Sequence, residues 1–264
     1  MSPVYTLANQ KGGVGKTTTA INLGASLASL GQKVLIVDLD PQANATSSLG
    51  LHKDALHGST YEVLLGGMPA QAALLRNPQL KLSILPASPA LAGAEVELLD
   101  LAERESRVRE IVDQIKGRYD YVLIDCPPSL NLLTINGLMA AEDGVLIPVQ
   151  CEYLALEGLG LLQQTLEHLR TTLAPWLRIR GVLLTMYDGR TKLAGDVVAE
   201  VRRHFGDLVF ETLIPRSIRI AEAPSYGLPV LQYAPGSSAS LAYLALAGEL
   251  LARDGVPVSV GAAQ

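Results

Sequence analysis

Residues 10–18 of this 264-residue chain read Gln10-Lys11-Gly12-Gly13-Val14-Gly15-Lys16-Thr17-Thr18. An apolar run over residues 4–8 precedes this Gly-rich stretch, and a helical pattern over residues 17–30 follows it. A Gly-rich turn between a strand and a helix lets backbone N–H groups and the positive end of the helix dipole converge, which suits phosphate oxygens. The other interpretation is a plain Gly-rich turn with two solvated lysines. The lysine spacing and the strand–loop–helix setting favour a phosphate-binding loop.

The loop predicts a site for a nucleotide and magnesium. Lys16 can reach the β- and γ-phosphates, and the Thr17 hydroxyl can ligate Mg²⁺. A strict Walker A motif has Gly where this chain has Gln10, and Lys11 is an additional lysine at the start of the loop. The predicted phosphate-contacting residues are Lys11, Gly12, Gly13, Val14, Gly15, Lys16, Thr17 and Thr18.

Strand and helix patterns alternate along the whole chain. Further strands are predicted at residues 33–38, 82–85, 121–124, 145–149, 182–186 and 209–214. Further helices are predicted at residues 92–115, 130–141, 156–173, 193–204 and 238–252. The strand runs are continuously apolar, which indicates burial on both faces of a parallel sheet. The expected fold is therefore α/β, a doubly wound, mostly parallel sheet flanked by helices.

Composition fits one globular domain. The chain is 48% apolar and 18% charged, and α/β domains of 200–250 residues are common. We expect a single domain over residues 1–254 and a frayed tail over residues 255–264. No apolar run approaches the roughly 18 residues of a membrane span, and the N-terminus does not resemble a signal peptide. Two cysteines without a CxxC pair argue against a metal or redox framework.

Acidic residues follow two of the predicted strands. Asp125 ends a run of four apolar residues, which is the Walker B pattern, and its carboxylate is predicted to hold Mg²⁺, through a water. Asp38 and Asp40 close the second strand, where carboxylates of a parallel sheet face the ligand crevice. The alternative for both is a turn or helix cap before Pro41. Cys126 is read as a small buried residue, and the four histidines as surface residues: His52, His57, His168 and His204.

The run Lys11-Gly12-Gly13-Val14-Gly15-Lys16-Thr17 resembles the deviant Walker A motif of the ParA/MinD class of P-loop NTPases. The resemblance implies that Lys11 reaches the nucleotide of a partner subunit, so that two ATP molecules lie at the interface of a homodimer. It places Asp40 in the switch I region, where it positions the attacking water, with Asp38 nearby to support the metal or the switch. The implied catalytic residues are Lys11, Lys16 and Asp40. The implied metal site comprises Thr17, Asp125 and Asp38.

Further segments resemble the Soj-type chromosomal ParA proteins in particular. They are residues 7–11, 38–46, 125–130, 148–153, 185–191 and 214–219. The resemblance implies that Pro215 and Ser217 lie against the adenine or ribose, although family members commonly carry Asn at the position of Ser217. It also implies that Arg190 and Arg219 bind DNA phosphates. The alternative is that these are ordinary surface arginines or form intrachain pairs with Asp188 or Glu222.

The charge distribution is compatible with DNA binding. The chain has a net charge of −5, yet residues 170–219 carry nine Lys/Arg and five Asp/Glu, a local balance of +4. Such a region can attract phosphates without reading bases. The segment 150–153 has two interpretations, a position near the dimer interface and a satisfied polar cluster at a strand end.

The resemblance implies an Mg²⁺-dependent ATPase that dimerises with ATP and binds double-stranded DNA nonspecifically. A ParB/Spo0J-like centromere-binding partner would stimulate hydrolysis, and the cargo would be a chromosome or plasmid. The protein would be cytoplasmic and nucleoid-associated, without stable membrane association.

Four alternatives share the fold. A MinD-like membrane-associated positioning ATPase should end in a basic amphipathic helix, whereas residues 250–257 contain Gly, Pro and one Arg. An orphan ParA-like ATPase that positions another cargo would have a similar sequence. A nitrogenase-reductase-like or cluster-scaffold protein needs paired cysteines for an iron–sulfur cluster. A ligase of the dethiobiotin synthetase type is not expected to carry Lys11 with the other Soj-like segments.

Overall fold

A computed structural model describes residues 2–153 and 155–257, with side chains for all of these except residues 155–157. Its eight strands are β1 (Val4–Leu7), β2 (Val34–Asp38), β3 (Leu75–Asn77), β4 (Leu82–Leu85), β5 (Tyr121–Asp125), β6 (Gly144–Gln150), β7 (Ile179–Tyr187) and β8 (Val209–Pro215). They form one sheet in the order β3-β4-β2-β5-β1-β6-β7-β8. Every neighbouring pair is parallel except β3 and β4, which are antiparallel. The prediction of a mostly parallel sheet is confirmed.

The described residues form twelve α-helices, which lie between the strands and after β8. They are α1 (Lys16–Ser29), α2 (Asn44–Ser48), α3 (Thr60–Leu64), α4 (Ala70–Ala73), α5 (Leu91–Glu97), α6 (Arg107–Ile115), α7 (Leu132–Met139), α8 (Ala155–Thr172), α9 (Lys192–Phe205), α10 (Ile218–Glu222), α11 (Val230–Tyr233) and α12 (Ser238–Arg253). Within the described ranges, none of these helices is long and apolar enough to cross a membrane.

Alternate residues of the central strands face two different hydrophobic cores. Leu123 packs in a core with residues of α1 and α12, whereas Val122 and Ile124 pack in a core with residues of α5, α6 and α7. A third core joins β6 and β7 to α8 and α9. Both faces of the sheet are therefore covered by helices, as the continuous apolar runs predicted.

The prediction of one helix over residues 92–115 is wrong. Helix α5 ends at Glu97, and α6 begins only at Arg107. Between them Glu103 adopts a left-handed backbone with φ of 54°. The Asn136 side chain of α7 donates to the carbonyl of Arg104 (2.6 Å) and accepts from the N–H of Val108 (3.2 Å). Because these bonds hold the connection and satisfy an unpaired donor in the first turn of α6, two helices replace one.

The short strand β3 was not predicted, because three residues at a sheet edge carry no clear periodicity. The predicted tail over residues 255–264 lies largely outside the described residues, which end at Pro257. The single-domain assignment over residues 1–254 stays a prediction.

Strand order brings the predicted site together. Strand β1 lies between β5 and β6, so the loop that follows it emerges between the carboxyl ends of both. Leu7 and Asp38 are both register partners of Asp125 on the adjacent strands. In open α/β sheets this edge forms the ligand crevice.

Gly137 lets α7 approach the sheet beneath this edge. A Cβ at Gly137 would lie 2.5 Å from the Cys126 Sγ and 3.2 Å from a methyl group of Leu39. We expect Gly137→Ala to lower the free energy of unfolding by about 1–3 kcal/mol through overpacking. The exposed Gly195 in α9 is the matched control, because its Cβ would meet nothing within 4 Å. Gly195→Ala should raise that free energy by about 0.5–1 kcal/mol. Urea unfolding of both variants measures the difference, and an unchanged Gly137→Ala protein would contradict the packing argument.

Candidate functional site

The Gly-rich loop uses the backbone freedom of two of its glycines. Gly13 and Gly15 have φ angles of 74° and 93°, in the region that favours glycine, and α1 begins directly after them. Thr185 on β7 donates from its Oγ1 to the carbonyl of Val14 at 2.8 Å. Asn9 donates to the carbonyl of Pro148 at 2.8 Å and accepts from the amide of Lys11 at 3.0 Å. The loop is therefore tied to β6 and β7 on one side of the crevice.

Lys16 lies inside the loop. Its side chain is buried, and its Nζ donates to the carbonyl of Lys11 at 3.3 Å. Burial lowers the pKa of Lys16, and the nearby carboxylates of Asp125 and Asp40 oppose that shift. A phosphate group bound in the loop would accept hydrogen bonds from this ammonium group and from the backbone amides.

Asp125 is a buried carboxylate without a hydrogen-bond partner. The residue is fully buried, and among the described residues neither of its carboxylate oxygens accepts a hydrogen bond of good geometry. Burial raises the pKa of Asp125 well above its ordinary value, the negative charge of Asp38 adds to the rise, and the nearby Thr17 side chain opposes it. A buried carboxylate needs a compensating partner. A divalent cation between Asp125 and Thr17 would supply one, so the residues present fit magnesium.

Asp38 is placed differently, although it is equally buried. Its Oδ2 accepts from the amide and hydroxyl of Thr46 at 2.9 Å and 2.8 Å, and its Oδ1 accepts from the amide of Asp40 at 3.1 Å. Burial raises the pKa of Asp38 to about 6, while these hydrogen bonds oppose the rise. Asp38 thus anchors the segment that carries Asp40. Its participation in a metal site stays a prediction.

Asp40 lines a cavity of about 260 Å³ at the mouth of the loop. The backbone N–H of Gln42 donates to Asp40 Oδ1 at 2.9 Å, which restrains the carboxylate. The cavity wall comprises Gly13, Gly15, Lys16, Thr17, Thr18, Asp40, Gln42, Asn44, Pro128 and Met186. A carboxylate across a cavity from buried Lys16 is a suitable group to orient water beside a bound phosphate.

A second cavity of about 310 Å³ adjoins the first. Pro215 and Ser217 line it, and both cavities share Gly15, Thr18 and Met186. Met186 has a φ of 51°, a strained backbone for a residue with a side chain. The phosphate loop and the predicted adenine or ribose contacts therefore lie in one continuous crevice.

Lys11 points away from the loop. Its Nζ lies 3.7 Å from Oε2 of Glu152, and the other oxygen of Glu152 lies 3.3 Å from an Arg216 nitrogen. Gln150 also donates to Glu152. The polar cluster at the end of β6, one of the two interpretations of this segment, is present. The lysine and carboxylate side chains are 37% and 45% exposed, so the cluster is accessible to another molecule.

The two arginines of the predicted DNA surface each pair with a near neighbour. Arg190 makes a bidentate contact with Asp188, at 2.8 Å and 2.7 Å. Arg219 lies 3.0 Å from a Glu222 oxygen. The alternative of intrachain pairs is therefore seen in the structure. Both arginine side chains remain exposed, at 88% and 59%, so a phosphate can still reach them.

Other site assignments have clear outcomes. Cys126 is fully buried and the four histidines are exposed, as predicted. Sequence reasoning gave no role to Asn9, Thr46 or Thr185, which hold the loop and Asp38. All three residues lie in segments that resemble Soj proteins, and this was the one available signal. Thr185 bonds to a residue 171 positions away, a contact without a local pattern.

Comparisons with known proteins find relatives that match this chain over most of its length. A family model described as an AAA domain matches residues 2–179. The chromosome-partitioning ATPase Soj of Thermus thermophilus is 54% identical over 247 residues, covering 94% of each chain. The chromosome partitioning protein ParA of Myxococcus xanthus is 50% identical over 251 residues, 95% of this chain and 88% of that protein.

A solved structure is similar over nearly the full length. It is described as cobyrinic acid a,c-diamide synthase from Mycobacterium smegmatis with bound ATP analog and magnesium. It has 40% sequence identity and a TM-score of 0.85, and the match covers 97% of this chain and 96% of that one.

Proposed function

This chain belongs to the ParA/Soj family of chromosome-partitioning ATPases, and from that premise we propose that it hydrolyses ATP as a DNA-bound homodimer. The observation that carries the proposal is the crevice itself. Buried Lys16 and the unpartnered carboxylate of Asp125 lie close together where the Gly-rich loop leads into α1. Two connected cavities extend from it.

ATP would bind with its phosphates in the loop over residues 11–18 and its base in the cavity lined by Pro215 and Ser217. Lys16 would hold the β- and γ-phosphates, because its ammonium is already inside the loop. Thr17 and Asp125 would hold the metal, with Asp38 supporting the segment behind them. Bound magnesium would supply positive charge that neutralises the phosphate oxygens during phosphoryl transfer. The solved relative with ATP analog and magnesium supports both ligands.

Hydrolysis would depend on Asp40 and on a second subunit. Asp40 would orient the attacking water, since it lines the cavity at the loop mouth. Lys11 does not point into its own loop, so it is free to reach a nucleotide held by a partner subunit once it leaves Glu152. The active state would therefore be an ATP-dependent homodimer, and hydrolysis would limit its lifetime.

DNA binding would use Arg190 and Arg219 on each protomer. These side chains would contact phosphates, so the binding would weaken with salt and have little sequence preference. Dimerisation places two such surfaces on one particle, and the linked sites gain avidity without a new contact. A ParB/Spo0J-like partner would stimulate hydrolysis and release the dimer from the nucleoid. The cargo would be a chromosome or a plasmid.

The proposal is tested by binding to nonspecific duplex DNA with ATP, with ADP and without nucleotide, at low and moderate salt. We expect binding with ATP alone, and weaker binding at higher salt. Hydrolysis without DNA binding in any state would contradict the partitioning cycle and favour a MinD-like or other cargo-positioning ATPase. DNA binding that is equal in all three nucleotide states would contradict the role of ATP as the switch.

Asp125 gives a test of the metal site that is independent of DNA. Asp125→Asn removes a buried carboxylate that lacks a hydrogen bond. We expect the nucleotide-free variant to be more stable than the native protein, by about 1–3 kcal/mol. It should lose most of the additional stabilisation that Mg²⁺ gives in the presence of ADP. Thermal unfolding with ADP, with and without Mg²⁺, measures both effects. If Mg²⁺ stabilises the variant against unfolding as much as it stabilises the native protein, Asp125 does not hold the metal.

A further inference from the structure

The two arginines proposed to bind DNA are already neutralised within the protomer. Asp188 lies two residues before Arg190 and meets its guanidinium in a bidentate contact of 2.8 Å and 2.7 Å. The hydrogen bonds from Arg190 lower the pKa of Asp188 to about 2, so this carboxylate is ionised at neutral pH. The positive charge of Arg190 is therefore paired with Asp188 on the surface of a single protomer, although the sequence shows a basic residue at this position.

The second pair is built by different residues. Glu222 lies one helical turn after Arg219, and the same Glu222 oxygen accepts from Arg219 Nη1 and from the Tyr233 hydroxyl, each at 3.0 Å. The Tyr233 ring is stacked on Tyr226 with a centroid distance of 4.9 Å. The carboxylate of Glu222 is therefore held against Arg219 by a side chain from another helix.

We propose that Asp188 and Glu222 are carboxylate masks that compete with DNA phosphate for Arg190 and Arg219, so that one protomer binds DNA weakly and the paired surfaces of a dimer are needed. This inference rests on the proposed DNA-binding function and names a regulation of that same surface. A phosphate that binds either arginine must compete with a carboxylate already bound to it. The displaced carboxylate stays close to the phosphate and repels it, which lowers the affinity of each single site.

The masks have a consequence for the salt dependence. A phosphate that binds a free arginine releases a condensed cation, which steepens the fall of log K with log salt by about 0.9 per contact. Salt also screens the arginine–carboxylate pair, so the carboxylate competes less strongly as the salt concentration rises. The two effects oppose one another, so a masked arginine adds less to the salt slope than a free arginine does. Removal of a mask should therefore change the slope as well as the affinity.

The experiment compares full-length native protein with Asp188→Asn, Glu222→Gln and the double variant, in the ATP state and without nucleotide. The probe is a nonspecific DNA duplex, titrated at several salt concentrations. Each substitution keeps an oxygen that can accept the bonds from the Arg190 amide or the Tyr233 hydroxyl. We expect affinity to rise by up to about fivefold per mask at low salt. We also expect the salt slope to steepen when each mask is removed, by less than the value of about 0.9 that a whole phosphate contact contributes.

Glu167→Gln is the matched control. Glu167 pairs with Arg170 at 2.8 Å with the same three-residue separation as the Arg219–Glu222 pair, and both side chains are similarly exposed. It changes the net charge by the same amount on an arginine that is not assigned to DNA. An equal rise in affinity for Glu167→Gln would show a bulk charge effect and overturn the proposal. Unchanged or weaker binding by Glu222→Gln and Asp188→Asn would overturn it as well.

Two further variants connect the effect to its mechanism. Tyr233→Phe loosens the hold on Glu222, so its affinity should lie between those of the native protein and Glu222→Gln. Arg219→Ala combined with Glu222→Gln should lose the gain, because the mask acts only through its arginine. If Arg190→Ala with Arg219→Ala leaves native ATP-dependent binding intact, the proposed DNA surface is wrong. If that double variant loses binding while the mask variants bind DNA with native affinity, the DNA surface is right and only the proposal of carboxylate masks is wrong.

Discussion

Lys11→Ala is expected to remain a monomer in the presence of ATP and to lose nearly all hydrolysis. The Lys11 side chain points out of its own loop toward Glu152, so its removal leaves the local phosphate contacts of Lys16 unchanged. Nucleotide binding should therefore survive, while the contact to a nucleotide in the other subunit is lost. In related arrangements, removing a charged group that stabilises the phosphoryl-transfer transition state lowers the rate by about 10³–10⁵-fold.

Sedimentation with and without ATP measures the association of Lys11→Ala, and fluorescent nucleotide titration measures its binding. Glu152→Gln is the informative control, because it removes the same intrachain ion pair but retains the lysine. It should still dimerise. Lys33→Ala, an exposed lysine before β2, should behave as the native protein. A Lys11→Ala protein that dimerises with ATP would contradict the two-nucleotide interface.

Asp40→Ala should give the opposite phenotype, a dimer that forms with ATP and persists. The Asp40 carboxylate accepts a hydrogen bond from the backbone N–H of Gln42, and Asp40 lines the cavity at the loop mouth. The segment that carries it is anchored by Asp38. Its loss should leave the fold intact and remove the group that orients water. We expect hydrolysis to fall by about 10²–10⁴-fold, the usual contribution of a positioned acid or base.

The rate of phosphate release and the lifetime of the dimer on DNA after excess ATP is removed test this variant together. Slow phosphate release with long residence on DNA is expected, because the bound state ends only through hydrolysis. Asp54→Ala, at an exposed position in the same part of the chain, is the control for loss of a carboxylate. An Asp40→Ala protein that hydrolyses at the native rate would remove Asp40 from the mechanism. One that cannot dimerise would assign it to the interface.

Much of the crevice could be predicted because its parts are local. Lys16 and Thr17 follow their glycines within one turn, and Asp125 follows four apolar residues of its own strand. Such spacings depend on backbone geometry over a few residues, and the pattern therefore predicts the structure directly. The prediction of one long helix over residues 92–115 was wrong because the break near Glu103 depends on Asn136 of another helix. Local spacing does not show such a contact.

The sequence by itself determined the class of the fold, the phosphate loop and the acidic residues that face it. Only the tertiary structure decided that Asp125 lacks a hydrogen bond while Asp38 is bound by Thr46, although both end parallel strands. Only the tertiary structure also showed that the Arg219–Glu222 pair is held by Tyr233. Local periodicity records which face of an element is buried. It does not record which distant side chain supplies the partner, since that choice is made when strands and helices from remote parts of the chain pack together.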